Sequence, residues 1–508
     1  MQDMNLTRLF VDLTGRLGLN YEFLLTGYEA QIWRDGFLTT LYLVAITIPV
    51  SLFFGVIFAA CLTSGRPWLS TPVRAFVELT RNTPTLVQLM FSFLVLNIIV
   101  SNMVGGAVNN PLSPFFWVVA VVGLHVAALH TEAIRGGIEA VPASMIEAAR
   151  GMGFSQFEIL RYVQIPLALR SSLPAIVNGL ISLVKSTTVG NAIAVSEITY
   201  ASIMVWTQRD NVVELMIVLL AFFSLINFLI ARLGTWVERK LAVPGIWAMN
   251  AIPSRSAKSG SAILRNVGFV AMPLLVVIWS LIDPTLGAEL VKWIPYLASG
   301  FWMNIVITLS AITLGTVAGV LLGLMQLAPL WLVRWPAAIY VQIFRNAPAL
   351  VLIFATTYIF PFEIVAFGHY LPFPDWIKAV IGLGILASAY IAEITRGAVL
   401  SIPTTQWEAT KGLGFSRLQA LRFVILPQCI RRSLPPWMNV ASSIAMGTSL
   451  ASLVGVHELM HAATDASTAV RRLDFTVIAY VVVMAAFFTL CYPLSRLTRR
   501  LEQRFNAG

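Results

Sequence analysis

Pro142-Ala-Ser-Met-Ile-Glu147-Ala148-Ala149-Arg-Gly151-Met-Gly153-Phe154-Ser155-Gln-Phe-Glu158 runs on to Pro166. It returns later in the same chain as Pro403-Thr-Thr-Gln-Trp-Glu408-Ala409-Thr-Lys-Gly412-Leu-Gly414-Phe415-Ser416-Arg-Leu-Gln419, running on to Pro427. The two glutamates are 261 residues apart, and 15 of 34 positions in 141–174 match 402–435 without a gap. Such a repeat is an internal duplication, and it has to be read before any fold is assigned. Ser144 with Glu147, and Thr405 with Glu408, have the spacing of capping boxes, so a short helix is expected just past Pro142 and Pro403. Gly153 and Gly414 suit the left-handed residue that ends such a helix. Ser155 with Glu158, and Ser416 with Gln419, form a second capping box in each copy, opening a helix expected to stop before Pro166 or Pro427. The predicted product is helix, glycine elbow, helix, too polar to lie in lipid.

The elbows interrupt an apolar chain. Of 508 residues, 58% are hydrophobic and 11% charged, with mean hydropathy +0.80; a soluble domain carries roughly 25% charged residues. The chain therefore reads as a polytopic membrane protein. Cys61, Cys429 and Cys491 are far apart, so neither a disulfide framework nor a metal cluster is expected. Residues 1–30 contain Asp3, Asp12 and Glu22 and no long apolar run, so they are not read as a cleavable signal. There is no six-residue block of like charge, and no nucleic-acid partner is expected.

A spanning helix needs about 20 mostly apolar residues. The first half offers five candidates (37–63, 76–100, 114–133, 167–190, 212–232) and the second five in matching order (301–325, 340–360, 377–395, 428–450, 475–493). A further run, 266–282, has no partner. Five crossings leave the two ends of a half on opposite sides, so the chain must cross once more before the half can repeat in the same orientation. The expected domains are 1–233, a first half with its loop at 141–166; 234–290, a polar, basic linker with the connecting helix 266–282; and 291–508, a second half with its loop at 402–427. About eleven crossings result, with the N-terminus outside and the C-terminus cytoplasmic. In this topology 25 of the 34 Lys and Arg fall on or beside the cytoplasmic side, and seven fall outside: Arg8, Arg16, Arg34, Arg209, Lys292, Arg471 and Arg472. Lys185 and Lys378 lie near outer helix ends. That bias follows the positive-inside rule and makes the repeats parallel rather than inverted.

Glu-Ala-Ala, Gly three residues on, then an apolar residue and Leu-Pro further along, resembles the coupling loop of ATP-binding-cassette importer permeases. Half 2 keeps Leu426-Pro427, whereas half 1 has Ile165-Pro166. A second signature narrows the resemblance. Each second helix opens with Arg81-Asn82-Thr83-Pro84-Thr-Leu86 or Arg345-Asn346-Ala347-Pro348-Ala-Leu350, at an offset of 264, so half 2 has lost a net three residues before its loop. Proline there is expected to kink the helix and free a carbonyl, leaving Asn and Thr to face a water-filled path. Glu132-x-x-Arg135 and Glu393-x-x-Arg396 end the third helices. Lys185-Ser-Thr187-Thr188 and Gly447-Thr448-Ser449 end the fourth, followed by Glu197 and Glu458. Together these resemble the polar amino-acid uptake permeases, those for histidine, glutamate, glutamine, arginine and opines, here with two halves fused. The resemblance implies an all-α, type I importer-like membrane fold built as a tandem parallel duplication of a five-helix unit.

It also implies roles. Glu147, Ala148, Ala149, Gly151, Gly153 and Phe154, with Glu408, Ala409, Gly412, Gly414 and Phe415, would couple to a separate ATPase. Two ATPase copies would dock there, and an extracytoplasmic solute-binding protein would deliver a polar amino acid. ATP and magnesium would belong to that partner. No cofactor, catalytic residue or metal ligand is expected in this chain, which lacks the G-x-x-x-x-G-K-[ST] loop; none of its six lysines follows a glycine. Arg81, Asn82, Thr83, Pro84, Lys185, Thr187, Thr188, Arg345, Asn346, Pro348, Thr448 and Ser449 are the candidates for the substrate path or gate. Their alternatives are snorkelling or pairing, Glu78 with Arg81 for example, and simple helix packing. The half-2 counterpart of Lys185 is Met446, so the halves need not contribute equally.

Two other readings stand beside this one. A secondary transporter with parallel repeats would follow an ion gradient. His457-Glu458-Leu-Met-His461 matches the zinc-protease pattern H-E-x-x-H. Its half-1 counterparts, Ser196, Glu197 and Tyr200, share only the glutamate. The expected location is a bacterial cytoplasmic membrane.

Overall fold

The computed structural model describes residues 2–25, 27–106, 108, 110–207, 211–240, 283–366 and 368–506. The chain divides into two compact units, Met1–Val277 and Ile278–Gly508. The expected connecting helix 266–282, the linker segment 241–265 and Arg209 lie outside the described residues.

The first unit opens with a helix absent from the sequence reading, α1 (Gln2–Gly15), then α2 (Gly27–Thr63). α3 (Pro67–Arg81), α4 (Thr85–Phe91) and α5 (Asn97–Met103) follow, the last two joined by a π turn at Ser92–Leu96. Next come α6 (Pro114–Glu139) and the elbow helices α7 (Ala143–Gly151) and α8 (Gln156–Ile159). A π turn at Leu160–Gln164 leads into α9 (Ile165–Ser186) and a 3-10 turn at Thr187–Ile193. α10 (Ile198–Trp206) and α11 (Val212–Lys240) complete the unit.

The second unit repeats this order with α12 (Pro284–Met325), α13 (Trp331–Asn346), α14 (Ala349–Ile359), α15 (Asp375–Leu400), α16 (Thr404–Gly412) and α17 (Arg417–Ala420). A π turn at Leu421–Ile425, α18 (Leu426–Gly447), a 3-10 turn at Thr448–Val454, α19 (Leu459–Val470) and α20 (Leu473–Asn506) follow. Between α14 and α15 an antiparallel hairpin, β1 (Glu363–Ala366) with β2 (His369–Pro372), departs from the all-α expectation. The net loss of three residues is located here. The spacing between equivalent helix starts is 264 at Thr85 and Ala349 and 261 at Pro114 and Asp375.

Among the described residues, eight helices are long and apolar enough to cross a membrane, or ten if two bent pairs each count as one span. One bent pair corrects the reading of the second helices. Segments 76–100 and 340–360 are not kinked spans but breaks, and α13 and α14 meet at 109°. Pro84 and Pro348 sit at the N-caps of the following helices with ψ near 140°. Each proline forces the residue before it out of the helical region, so the preceding helix ends. α11 and α20 run well past the expected ends at 232 and 493, because basic residues such as Arg239 and Lys240 suit the negative end of a helix dipole.

Small residues set the packing. α12 presents Gly315, Gly319 and Gly323 to α15; a methyl group on Gly319 would lie 2.7 Å from Ile391 Cβ and from the Ser388 carbonyl oxygen. Such stripes let membrane helices approach closely where lipid offers no hydrophobic drive between them.

Candidate functional site

The two elbows are built alike. α7 and α16 start at Pro142 and Pro403, whose side chains form no cap. The first pair of expected capping boxes is therefore not formed. Because the helices start two residues earlier than that reading requires, Ser144 and Thr405 fall inside them and Glu147 and Glu408 point into solvent. The ends of these helices follow the expectation. Gly153 and Gly414 have φ of +87° and +76°. Gly153 N donates to Arg150 O at 2.9 Å and Phe154 N to Ala149 O at 3.1 Å; the same bonds join Gly414 to Lys411 and Phe415 to Thr410, both at 3.0 Å. This is the Schellman pattern that satisfies the last carbonyls of a helix.

The second capping boxes form in both copies. Ser155 N donates to Glu158 Oε2 at 2.8 Å while Glu158 N donates to Ser155 Oγ at 3.3 Å; Ser416 N and Gln419 N exchange the same bonds. The helices they open do not stop before Pro166 and Pro427. The π turns at 160–164 and 421–425 open the spiral just ahead of each proline and carry the chain straight into α9 and α18. A wider turn accommodates a residue that lacks an N–H and crowds the carbonyl four residues back. Each elbow is thus one rigid piece with a long helix. In the second unit it is also bolted to α15: Ala398, Ile402, Ile425 and Cys429 form a buried cluster flanked by Trp407.

Not every coupling candidate is on the surface. Ala149 is buried and supports the turn from inside. Glu147, Ala148, Gly151, Gly153, Phe154, Glu408, Ala409, Gly412, Gly414 and Phe415 are exposed. The sequence reading missed their apolar neighbours. Met152 and Leu413 are 71% and 73% exposed, and Phe157 and Leu418 stand out beside them. The signal was legible: apolar residues recur at matched positions of two otherwise polar loops.

The pathway candidates fall into two groups, neither arranged as expected. At the first breaks, Arg81 Nη1 lies 3.9 Å from Glu132 Oε2, which also takes Arg135 Nη2 at 2.6 Å. Arg345, Glu393 and Arg396 repeat this at 3.8 and 2.6 Å. Glu132 and Glu393, quoted in the sequence only as motif members, are the acids that hold both arginines of their unit. Asn82 Nδ2 donates to Glu78 O at 2.6 Å, Asn346 Nδ2 to Gln342 O at 2.7 Å and Thr83 Oγ1 to Leu79 O at 2.9 Å. Asn82, Thr83, Pro84 and Pro348 are buried. These bonds satisfy the carbonyls at the broken helix ends.

The other group surrounds the 3-10 turns. Thr187, Thr188, Thr448 and Ser449 are buried, and their hydroxyls donate to backbone carbonyls three residues back at 2.7–2.9 Å. Lys185 beside them is half-buried. The following Glu197 and Glu458 are fully buried N-caps of α10 and α19. Glu197 accepts from Thr199 N and Tyr200 N. Glu458 accepts from Met460 N, His461 N and Asn304 Nδ2 at 2.8–3.0 Å. Asn304 also donates to Thr448 and accepts from Leu459 N, tying α12 to both segments. Its equivalent Thr40 accepts from Ile198 N at 2.9 Å.

The H-E-x-x-H match dissolves in this geometry. Glu458 is a cap rather than a residue of the helix interior, so His457 precedes the helix. His457 stacks on Tyr296 with centroids 4.4 Å apart, and Asp465 accepts from Tyr296 Oη at 2.8 Å. Lys378, expected near an outer helix end, is buried with Nζ 3.0 Å from Asp375.

The arrangement defines a class first: a membrane protein with two equivalent bundles, each carrying a rigid polar elbow welded to a long helix. The family follows from comparison. The chain belongs to the binding-protein-dependent transport system inner membrane components, matching that family over residues 51–243 and again over 315–507. It is 33% identical over 211 residues to a probable amino-acid ABC transporter permease protein, YckA, of Bacillus subtilis, covering 42% of this chain and 89% of that one. It is 33% identical to the L-cystine transport system permease protein TcyB of the same organism, over 42% of this chain and 87% of that one. Against the glutamine transport system permease protein GlnP of Escherichia coli it is 34% identical, over 44% and 96%. A solved amino acid ABC transporter with histidines aligns at 28% identity and TM-score 0.37, covering 43% of this chain and 97% of that one.

Proposed function

We propose that this chain supplies both permease halves of an ATP-driven importer for polar amino acids. Family membership supports transport. The amino-acid class is supported by the names of relatives that align over most of their own length. The observation that carries the coupling reading is the elbow pair. Two exposed, backbone-locked turns present Met152, Phe154 and Phe157, and Leu413, Phe415 and Leu418, on segments too polar to sit in lipid. An apolar patch held on a rigid polar turn suits a protein partner rather than a bilayer.

In this reading two copies of a separate ATPase dock on the elbows and hold all ATP and magnesium. A solute-binding protein delivers substrate on the opposite side, with the N-terminus outside and the C-terminus in the cytoplasm. Domains run 1–233, 234–290 and 291–508. Movement of each docked ATPase passes through an elbow into the helix fused to it, α9 or α18, because the π turn leaves no flexible joint between them. Arg81 with Glu132, and Arg345 with Glu393, then serve as latches between the amphipathic helix and α6 or α15 that movement can break. Substrate contact by Lys185 is the part of the path reading that its half-buried position still allows.

Phe154→Asp and Phe415→Asp test the docking. Each change should weaken co-purification with the ATPase subunit, and the pair should abolish it while the chain remains membrane-inserted. Undiminished co-purification of the double variant would remove the elbows from the interface.

A further inference from the structure

Among the described residues the hairpin of the second unit has no counterpart in the first, and its chemistry is unusual for an exposed connection. Its register pairs Ile364 with Leu371 and Val365 with Tyr370. Directly opposed residues share a face, so one face carries Ile364 and Leu371 and the other Val365 and Tyr370. All four are exposed; Val365 reaches 65% and Tyr370 74%. Glu363 shares the face of Val365 and Tyr370, and His369 that of Ile364 and Leu371, so each face sets exposed apolar side chains beside a single polar one and neither is a polar face. An isolated two-stranded hairpin is marginal in water even when one side is polar. From Phe360 to Ile377 the chain holds no Lys or Arg, two carboxylates, and six aromatic residues.

Its base is firmly built. Phe373 N donates to Phe362 O at 2.7 Å, and the Phe360 and Phe373 rings meet edge to face. The buried Lys378 ammonium lies 4.1 Å from the Phe362 ring centroid, beside Asp375. The apolar surface continues without a break into Tyr358, Ile359 and Phe360 at the end of α14, part of a bent pair apolar enough to cross the membrane. α15 leads directly into the elbow, so the hairpin lies at the opposite end of that helix.

The equivalent connection in the first unit is held differently, by polar side chains. Asn110 Nδ2 donates to Asn97 Oδ1 at 2.8 Å and to Ser101 Oγ at 2.7 Å, and Trp117, the counterpart of Lys378, donates to Asn97 Oδ1 at 2.9 Å. One connection is thus tied by amide and hydroxyl hydrogen bonds and the other by aromatic packing at its base.

We infer that the hairpin Glu363–Pro372 is a membrane-interface anchor whose two apolar faces lie among the lipid headgroups beside α14. Aromatic residues are favoured in that layer, where an apolar body and a polar tip are both accommodated. The depth is limited: a hairpin leaves backbone groups unpaired along both outer edges, and the hydrocarbon core offers them no partner. With no Lys or Arg in the segment, the anchor lacks the permanent cation that would draw it to anionic lipid.

The test places a nitroxide on Val365→Cys and on Tyr370→Cys in the full chain with Cys61, Cys429 and Cys491 replaced, in phosphatidylcholine nanodiscs. Accessibility to oxygen, which concentrates in lipid, is compared with that to a water-soluble nickel chelate. At both positions the oxygen-to-nickel ratio should exceed several-fold that of Lys411→Cys on the exposed, polar second elbow. A ratio equal to that of Lys411→Cys would put the hairpin in water and overturn the proposal. Exclusion of both reagents would mean that protein covers it, and would overturn it equally. Because two of the cysteines are buried, Tyr370→benzoylphenylalanine in the native-cysteine chain gives an independent reading. Irradiation should yield a phosphatidylcholine adduct, and cross-links to protein alone would refute the anchor.

Discussion

Gly414 is the point at which the elbow can be perturbed through its backbone alone. Its φ is +76°, and a Cβ added there would find no heavy atom within 4 Å. A substitution therefore meets no clash, and its cost is conformational: about 1–2 kcal/mol for an L-residue held in the left-handed region. The turn is held by the bonds from Gly414 N to Lys411 O and from Phe415 N to Thr410 O, each contributing a net of about 0.5–1.5 kcal/mol. Strain and restraint are thus of similar size, and Gly414→Val should leave the elbow formed only part of the time. If docking requires the formed turn, apparent affinity falls with that fraction, by about 2-fold where strain and restraint balance and about 5-fold where strain exceeds restraint by about 1 kcal/mol. Asparagine enters the left-handed region more readily than alanine, and a β-branched residue least. The expected order of ATPase affinity is Gly, Asn, Ala, Val, and Gly153 should give the same series. The assay is binding of the ATPase subunit to each variant in nanodiscs, with thermal melting to show that the bundle is unchanged. Wild-type affinity for Gly414→Val would refute the reasoning. Equal loss for Asn and Val would also refute it, since a contact surface rather than the turn would then be responsible.

Other outcomes follow from the packing and the charges. Gly319→Val drives its side chain into Ile391 and the Ser388 carbonyl and should cost about 1–3 kcal/mol or more by overpacking; Gly136→Ala, with open space around it, should unfold in detergent like wild type. Asn304→Ala strips Glu458 of its side-chain donor and frees Leu459 N and Thr448. Amide exchange across 448–470 should rise while the elbow 404–419 is unchanged; equal exchange in both segments would contradict the node. The Thr285 hydroxyl and the Arg472 guanidinium hold the Asp283 carboxyl well below the usual carboxylate range. A depressed carboxylate stabilises fully above its unfolded pKa of about 4 and is lost only as pH falls through the lower folded value. The drop in melting temperature for Asp283→Asn should therefore stay constant between about pH 5 and pH 8, and a drop that fades in that window would contradict the clasp.

Much of this architecture is written locally in the sequence. Gly153, Gly414 and the boxes opened by Ser155 and Ser416 are short-range signals, and they lie where those signals place them. The matching order of apolar runs carried the duplication. Contacts between elements were harder to read. Arg-Asn-x-Pro looks like a helix kink until it is clear that the preceding segment is amphipathic and ends there. Ser144 and Thr405 mimic caps two residues too late because Pro142 and Pro403 start the helices first. The hydroxyls of Thr187 and Thr448 look available to a substrate in one dimension, yet they are spent on their own backbone once a 3-10 turn forms. Glu132 reaches Arg81 only because α3 and α6 pack together, which no spacing in the chain reveals. The hairpin replaces a helix end through a three-residue difference that a half-to-half alignment registers only as a gap.

The central claim is that ATP bound by a partner, and not an ion gradient, drives transport through this chain. The most direct measurement is uptake of labelled polar amino acids into proteoliposomes containing the chain, its ATPase subunit and its binding protein. Uptake should require ATP on the elbow side and should persist when ionophores collapse every ion gradient. Uptake that continues without ATP and disappears with the gradient would contradict the account and make the chain a secondary transporter.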